Sequence, residues 1–269
     1  MGLENRGWIL LGSVFRCRGV PEEVRPDLEA LLRGFPRADG PSDIDFEVSK
    51  SGDSVLTLED GRGSHWEMGE PVSSHLEYRL VNTAIERARD RWVLHAGAVA
   101  APRGTCLLVG ESGAGKTSLT LWLWASGLTL VTDDLCPVLH GSLSPETFPR
   151  ALHMDCEYSP RLLEKLPPRP ASYPADYYPF PGQADSTPPP FSSLLVIERG
   201  PRPEGEIEPL GQSEAAHHLL KAVIKSPSFE FGQALSDMLR LSGQIRASRL
   251  RSSTPEGAGE AALAWISGL

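Results

Sequence analysis

CLLVGESGAGKTSLTLWLWASGLTLVTDD, residues 106–134, carries three structural signals in succession. Its opening run, Cys106 to Val109, is apolar without helical spacing and predicts a short buried strand. The strand leads into Gly110-Glu111-Ser112-Gly113-Ala114-Gly115-Lys116-Thr117, a complete match to G-x-x-x-x-G-K-[ST]. Glycines at 110, 113 and 115 let the backbone turn sharply and bring its N–H groups against phosphate oxygens with no Cβ in the way. A helix starting near Lys116 adds unpaired N–H groups and the positive end of its dipole. Lys116 is then placed to reach the β- and γ-phosphates of a nucleotide, and the Thr117 hydroxyl to ligate Mg²⁺. The plainer alternative is a glycine-rich turn between a strand and a helix. All four fixed positions in a strand–loop–helix context favour a phosphate-binding loop, with nucleotide contacts running from Gly110 through Ser118.

The rest of the stretch predicts a short helix over Ser118–Ser126, stopped by Gly127, and then a strand, Leu128 to Val131. That strand ends in Asp133-Asp134. Carboxylates at a strand's C-terminal end, beside a phosphate loop, sit where Mg²⁺ and a phosphoryl acceptor would be handled. Asp-Asp after a strand is also a common turn opener. Position beside the loop favours the chemical reading.

Composition limits the remaining choices. The chain has 269 residues, enough for one large domain or a core with a small appendage. Its 40% hydrophobic and 23% charged residues are those of a soluble globular protein. A net charge of −9 argues against nucleic acid or an anionic membrane as partner, but not against ATP, whose site is local. Cys17, Cys106, Cys136 and Cys156 form no C-x-x-C pair and read as thiols of a reducing compartment. Neither a signal peptide nor a membrane-spanning run is visible, so a cytoplasmic protein is expected.

Upstream of the loop, Trp8 to Phe15 predicts a strand and Pro26 opens a helix carrying Leu28, Leu31 and Leu32. Asp45–Val48 and Val55–Leu58 predict a hairpin around Ser51-Gly52-Asp53, with Trp66 and Met68 on a further strand. These elements make residues 1–72 a small β-rich section and residues 73–269 the catalytic section. Ser74 and Glu77 read as a capping box opening a helix to about Arg91. Trp92 to His95 is a strand, with His95 at its end. Downstream, Leu135–Leu139 continues as a strand. Residues 145–190 are dense in proline and tyrosine and read as a lid over the site. Arg150, near the lid's start, is either a charge-assisted contact for a γ-phosphate or acceptor, or a solvated loop arginine. Ser193–Glu198 is an apolar strand expected in the same sheet. Helices are expected from Ser213 to Ile224, from Phe231 to Leu241 with Leu235, Met238 and Leu239 on one side, and from Thr254-Pro255 to Ile266. A strand, Ile245–Arg251, precedes the last.

His95-Ala-Gly-Ala-Val, the GESGAGKTS loop and the early LVTDD together resemble the catalytic domain of the HPr serine kinase/phosphorylase family and its shorter relatives. The match covers about residues 92–139, and more weakly Phe148-Pro149-Arg150 and Leu194 to Arg199. The resemblance implies an α/β fold with a central P-loop sheet flanked by helices. It implies that one of Asp133 and Asp134 acts as base toward a serine hydroxyl with the other near the metal, roles that could be exchanged, and that His95 supports them. The family's glycine- and acid-rich second signature has no counterpart in residues 145–190, so phosphorolysis and HPr itself are not expected. The expectation is an ATP- and Mg²⁺-dependent kinase acting on a serine or threonine of a protein or peptide, with Lys116, Asp133 and His95 catalytic, Thr117 and Asp134 on the metal, and Arg150 toward substrate. Homo-oligomers are a further expectation from the resemblance. Two other classes fit the motif: an ATP-gated binding protein without transfer, and a small-molecule kinase.

Overall fold

The computed structural model describes residues 6–51, 54–59, 62–67, 72–154, 164, 166, 169, 177–182, 184 and 186–268. The chain divides into two compact units. One comprises Met1–Ala88, Arg150–Cys156 and Pro167–Phe180; the other comprises Arg89–Pro149, Glu157–Leu166 and Pro181–Leu269. The division therefore falls after Ala88 rather than at the expected 72/73 boundary. Much of the middle of the lid assigned to 145–190 lies outside the described residues, Tyr158 and Tyr173 included. So do Met68 and, in the expected hairpin turn, Gly52 and Asp53.

In chain order the first elements are β1 (Arg6–Leu10), β2 (Ser13–Arg18), α1 (Arg25–Leu31), β3 (Arg37–Asp39), β4 (Ile44–Ser51), β5 (Ser54–Glu59), β6 (Arg62–Glu67) and α2 (Val72–Arg87). They are followed by β7 (Arg91–His95), β8 (Gly97–Ala101), β9 (Gly104–Gly110), α3 (Lys116–Ala125), β10 (Thr129–Thr132), β11 (Leu135–Leu139), β12 (Leu152–His153) and β13 (Tyr177–Tyr178). The chain closes with β14 (Phe191–Arg199), β15 (Glu206–Pro209), α4 (Gln212–Ala222), α5 (Phe231–Ser242), β16 (Arg246–Ser252) and α6 (Pro255–Ser267).

The first unit holds a sheet in the order β3-β1-β2-β4-β5-β6, antiparallel except for the β2–β4 pair. The single strand expected over Trp8–Phe15 is two, joined by a tight turn at Leu11 (φ 49°) and Gly12 (φ 85°). Leucine is a rare choice for a left-handed turn position, so Gly12 is the one local turn signal there, inside an otherwise apolar run. Phe15 and Phe46 are fully buried with ring centroids 6.4 Å apart, and Leu28, Leu31 and Leu32 in and just after α1 are buried as well. Helix α2 starts at Val72, so Ser74 lies inside it and does not cap it. A short antiparallel pair, β12 with β13, completes this unit.

The second unit is a mixed α/β assembly. Its main sheet runs β10-β8-β9-β14-β16-β15, with β9, β14 and β16 parallel and the other neighbours antiparallel. Beside it stands an antiparallel ladder of β7 and β11. Alternation along the strands sends side chains to both faces. Ala96, Ala98, Leu107, Val109, Leu194 and Val196 share one core with Ala215 and Leu219 of α4 and with Ala234 and Met238 of α5. Gly97 points the other way, where an added Cβ would meet Thr120 of α3. Leu108 and Leu195 are fully buried on that second face, and α3 packs against α6 through Trp122 over Gly259. Helices thus cover both faces, as a sheet with continuous apolar strands requires. Helix α4 begins one residue before the expected Ser213, with Gly211 as its N-cap. On α5, Met238 is buried but Leu235 and Leu239 are exposed, so these three do not share a buried side. Thr254 caps α6 by accepting from Gly257 N at 3.2 Å, as its sequence predicts.

Candidate functional site

The ends of several elements of the second unit converge. Strand β8 runs antiparallel to β9, and β10 antiparallel to β8, so β9 and β10 end on the same side. β8 begins there, directly after β7 has ended in His95. This side is the carboxyl edge of the parallel strands, where open α/β sheets place their ligands.

The loop after β9 turns on two glycines. Gly113 and Gly115 hold left-handed backbone (φ 75° and 95°), and an added Cβ at either would stand in open space. Conformation, not crowding, is what requires glycine at these two positions. Gly115 is the N-cap of α3 and no side chain caps that helix, so its first N–H groups are left to whatever the loop encloses. Glu111, Ser112, Gly113 and Gly115 are exposed, whereas Ala114, Thr117 and Ser118 are half-buried.

Lys116 is 7% exposed and its ammonium is folded back onto the loop, donating to Gly110 O at 3.0 Å and Glu111 O at 3.1 Å. Burial pushes its pKa below the usual lysine range, and the charges of Asp134 and Asp133 oppose that shift. Both aspartates, which follow β10, are therefore within electrostatic reach of the loop lysine. Thr120, fully buried one turn later, donates to Lys116 O at 2.8 Å and pins the start of the helix.

His95 Nδ1 lies 3.0 Å from Asp134 Oδ1, with both side chains about four-tenths exposed. The contact follows from strand pairing: His95 faces Leu135 across the β7–β11 ladder, and Ala96 N donates to Asp134 O at 3.0 Å. Asp133 sits one residue earlier, its carbonyl 3.2 Å from where a Cβ on Gly97 would be. The Thr132 hydroxyl donates to Leu135 O at 2.7 Å and so closes the turn that carries both carboxylates.

The loop, Lys116, His95, Asp133 and Asp134 are thus brought together. Arg150 belongs to the first unit, where its guanidinium makes a bidentate pair with Glu77, Nε to Oε1 at 2.6 Å and Nη2 to Oε2 at 2.9 Å. Glu77 is 1% exposed, which accounts for the arginine as counter-charge to a buried carboxylate. A residue not singled out from sequence is Arg199, at the end of β14, whose Nη2 donates to Gly113 O at 3.3 Å. A cation at the carboxyl end of an apolar parallel strand was the available signal. Cys106, in β9 beneath the loop, has its thiol pushed up to about 12 by burial, which suits a packing role and not a nucleophile.

Among the described residues no group of three or more His, Cys, Asp and Glu side chains is arranged as a metal cage. A nucleotide-borne Mg²⁺ does not need one, since one or two protein oxygens and the phosphates complete its shell. Thr117 and Asp134 supply that donor type, and the open space above Gly113 and Gly115 suits a phosphate chain. Among the described residues no helix is long and apolar enough to cross a membrane. No family model matches the chain, and no curated protein matches it.

Proposed function

We propose that the chain is a P-loop kinase that passes the γ-phosphoryl group of Mg–ATP to a serine or threonine hydroxyl of a protein or peptide. One observation carries the reading. A buried lysine at the start of α3 feels both carboxylates of the Asp133-Asp134 turn, and a histidine holds the second of them, all beside an uncapped helix N-terminus. A plain glycine turn has no need of this company.

Backbone N–H groups of Gly113 to Thr117 would cradle the phosphates, with Lys116 exchanging its loop carbonyls for phosphate oxygens. Thr117 and Asp134 would hold the metal, which with ATP supplies an activated phosphoryl group of partly neutralised charge. His95 donates from Nδ1 to Asp134 and fixes its orientation, the support that ligating carboxylates commonly receive. A carboxylate so engaged is the weaker base, which leaves Asp133 to take the proton of the acceptor hydroxyl. Transfer then forms one P–O bond to the acceptor oxygen and breaks the bond to the leaving diphosphate, while the hydroxyl proton goes to Asp133.

The test is transfer of terminally labelled phosphate from ATP with Mg²⁺ to serine- and threonine-containing peptides and to a cell lysate, with Lys116→Ala alongside. Label on protein or peptide that vanishes in Lys116→Ala is expected. ATP binding without label on protein, peptide or metabolite would overturn the kinase reading in favour of a nucleotide-gated binding protein. Label on a metabolite alone would make it a small-molecule kinase.

A further inference from the structure

The loop, Lys116 and the acid turn receive one end of a nucleotide, and the other end must lie elsewhere along the same edge of the sheet. The strand order β10-β8-β9-β14-β16 puts the acid turn, which follows β10, to one side of β9 and its loop, and puts β14 and β16 to the other. Both β14 and β16 run parallel to β9, so they end on the loop's side of the sheet. Phosphates aimed at Asp133 and Asp134 therefore trail their nucleoside over the ends of β14 and β16.

Arg199 is the last residue of β14. It is exposed, and among the described residues it makes one hydrogen bond, Nη2 to Gly113 O at 3.3 Å, and no ion pair. Its neighbours are committed. Glu198, turned to the opposite face by strand alternation, is shared by Arg249 and Arg251, and Arg202 pairs with Glu206 at 2.7 Å. A guanidinium donates its hydrogen bonds in its own plane, so Gly113 O holds the group by an edge and leaves its flat faces uncommitted. Amide nitrogens, not carbonyls, are what such a loop turns toward phosphate. An arginine held by a loop carbonyl thus stands beside the phosphate cradle and not within it. A flat, weakly hydrated cation in that place suits the face of an aromatic base.

The ground next to Arg199 is fixed. Residues 200–205 are bound to residues 252–254, the turn after β16. Gly200 N donates to Ser252 O at 2.9 Å, Ser253 N to Arg202 O at 2.7 Å, and the Ser252 and Thr254 hydroxyls both to Pro203 O at 2.8 Å. A Cβ on Gly200 would stand 2.9 Å from Ser252 N, so the two turns are in close contact.

We propose that Arg199 is the platform of a nucleobase subsite, its guanidinium stacking on a purine while Gly113 O holds its edge, with residues 200–205 as the fixed wall beside it. The ligand class is a purine nucleoside triphosphate, because the larger ring system covers more of the guanidinium than a pyrimidine does. The inference rests on the phosphate-loop part of the proposed function and not on the transfer step.

Calorimetric titration of the full chain with Mg²⁺ and, in turn, ATP, GTP, CTP and inorganic tripolyphosphate tests it. The parent is expected to bind ATP and GTP roughly three- to tenfold tighter than CTP. Arg199→Ala should lower the ATP and GTP affinities by that factor, to the level of CTP, and leave the tripolyphosphate affinity unchanged. An unchanged tripolyphosphate affinity also shows that the loop has kept its shape. Equal losses for ATP and tripolyphosphate would make Arg199 a phosphate contact or a brace for the loop and overturn the inference. A parent without purine preference would overturn it too. A parent that binds neither ATP nor tripolyphosphate, or whose tripolyphosphate binding survives Lys116→Ala, would sink the phosphate-loop reading itself and this inference with it.

Discussion

Alanine at Gly97 would test how tightly the sheet, the loop helix and the acidic turn are locked together. Gly97 opens β8 directly under α3, and a Cβ there would stand 2.2 Å from Thr120 Oγ1, 3.4 Å from Thr120 Cβ and 3.2 Å from Asp133 O. Relief requires Thr120 Oγ1 to retreat by about 1 Å, yet that hydroxyl is fully buried and bonded to Lys116 O at 2.8 Å. Overpacking of this kind costs about 1–3 kcal/mol, and loss of the Thr120 bond adds about 0.5–1.5 kcal/mol. For a unit of this size such a loss corresponds to a fall in melting temperature of roughly 5–15 °C. The assay is calorimetry of the parent, Gly97→Ala, Thr120→Ala and the double variant. Thr120→Ala alone removes the hydrogen bond and is expected to destabilise. In the Gly97→Ala background the same change removes the obstructing oxygen and should recover part of the loss, so the cycle is strongly non-additive. A Gly97→Ala protein melting within about 2 °C of the parent, or additive single losses, would refute the packing argument. On the proposed kinase reading, displacement of Asp133 should also lower phosphotransfer at temperatures where the variant is still folded.

Further expectations follow the same geometry. Gly259→Ala drives a Cβ to 2.2 Å from the Trp122 ring and should lower the melting temperature and shift indole fluorescence; an unchanged melt would show that α6 sits further from α3. Lys116→Ala should weaken ATP binding by about 1.5–3 kcal/mol, the worth of a hydrogen bond to a charged group, measured by calorimetric titration; unchanged affinity would remove the lysine from the phosphate site. Arg150→Ala leaves the Glu77 carboxylate buried without its guanidinium and should cost about 3–5 kcal/mol of stability, whereas Arg150→Met with Glu77→Leu should recover most of it; chemical denaturation distinguishes the two. Asp237 is pushed up by burial but held below the usual carboxylate range overall by bonds from Gln233, Trp92 and Arg240 and by the charge of Arg240. A depressed folded pKa contributes stability above the unfolded value near 4, lost as pH falls through the lower folded value. Asp237→Asn should therefore flatten the loss of stability on the acid side of about pH 4, and an unchanged acid limb would contradict the shift.

What the sequence disclosed, and what it did not, divides along the range of the forces involved. Strand β9, the loop, α3 and the Asp133-Asp134 turn were legible because their signals are local: an apolar run, left-handed glycines, a stop at Gly127 and an acid pair. The closeness of His95 to Asp134 came through the family resemblance, and strand pairing supplies its cause. The Leu11-Gly12 turn was overlooked because leucine does not advertise a left-handed conformation and Gly12 stood alone between two apolar runs. Ser74 and Glu77 matched a cap in spacing, but the helix had already begun at Val72, and Glu77 answers to Arg150, far along the chain. Spacing also pointed to the wrong face of α5. Its inward face rests on Ala234 beside Met238 and Leu241, and a small residue leaves little trace in a pattern of large ones.

The pairing of Glu77 with Arg150 has a consequence for the time order of synthesis. The two are separated by 73 residues, and the first unit is interrupted by the whole loop, α3 and acidic turn before its Arg150–Cys156 segment appears. At about 5–20 residues per second the ribosome needs several seconds to deliver the arginine after the glutamate. Through that interval a carboxylate destined for the interior has no counter-charge, so Met1–Ala88 cannot settle into its final packing ahead of the rest. The N-terminal unit, although made first, finishes late, and a chain cut after Ala88 would leave Glu77 waiting for a partner that never arrives.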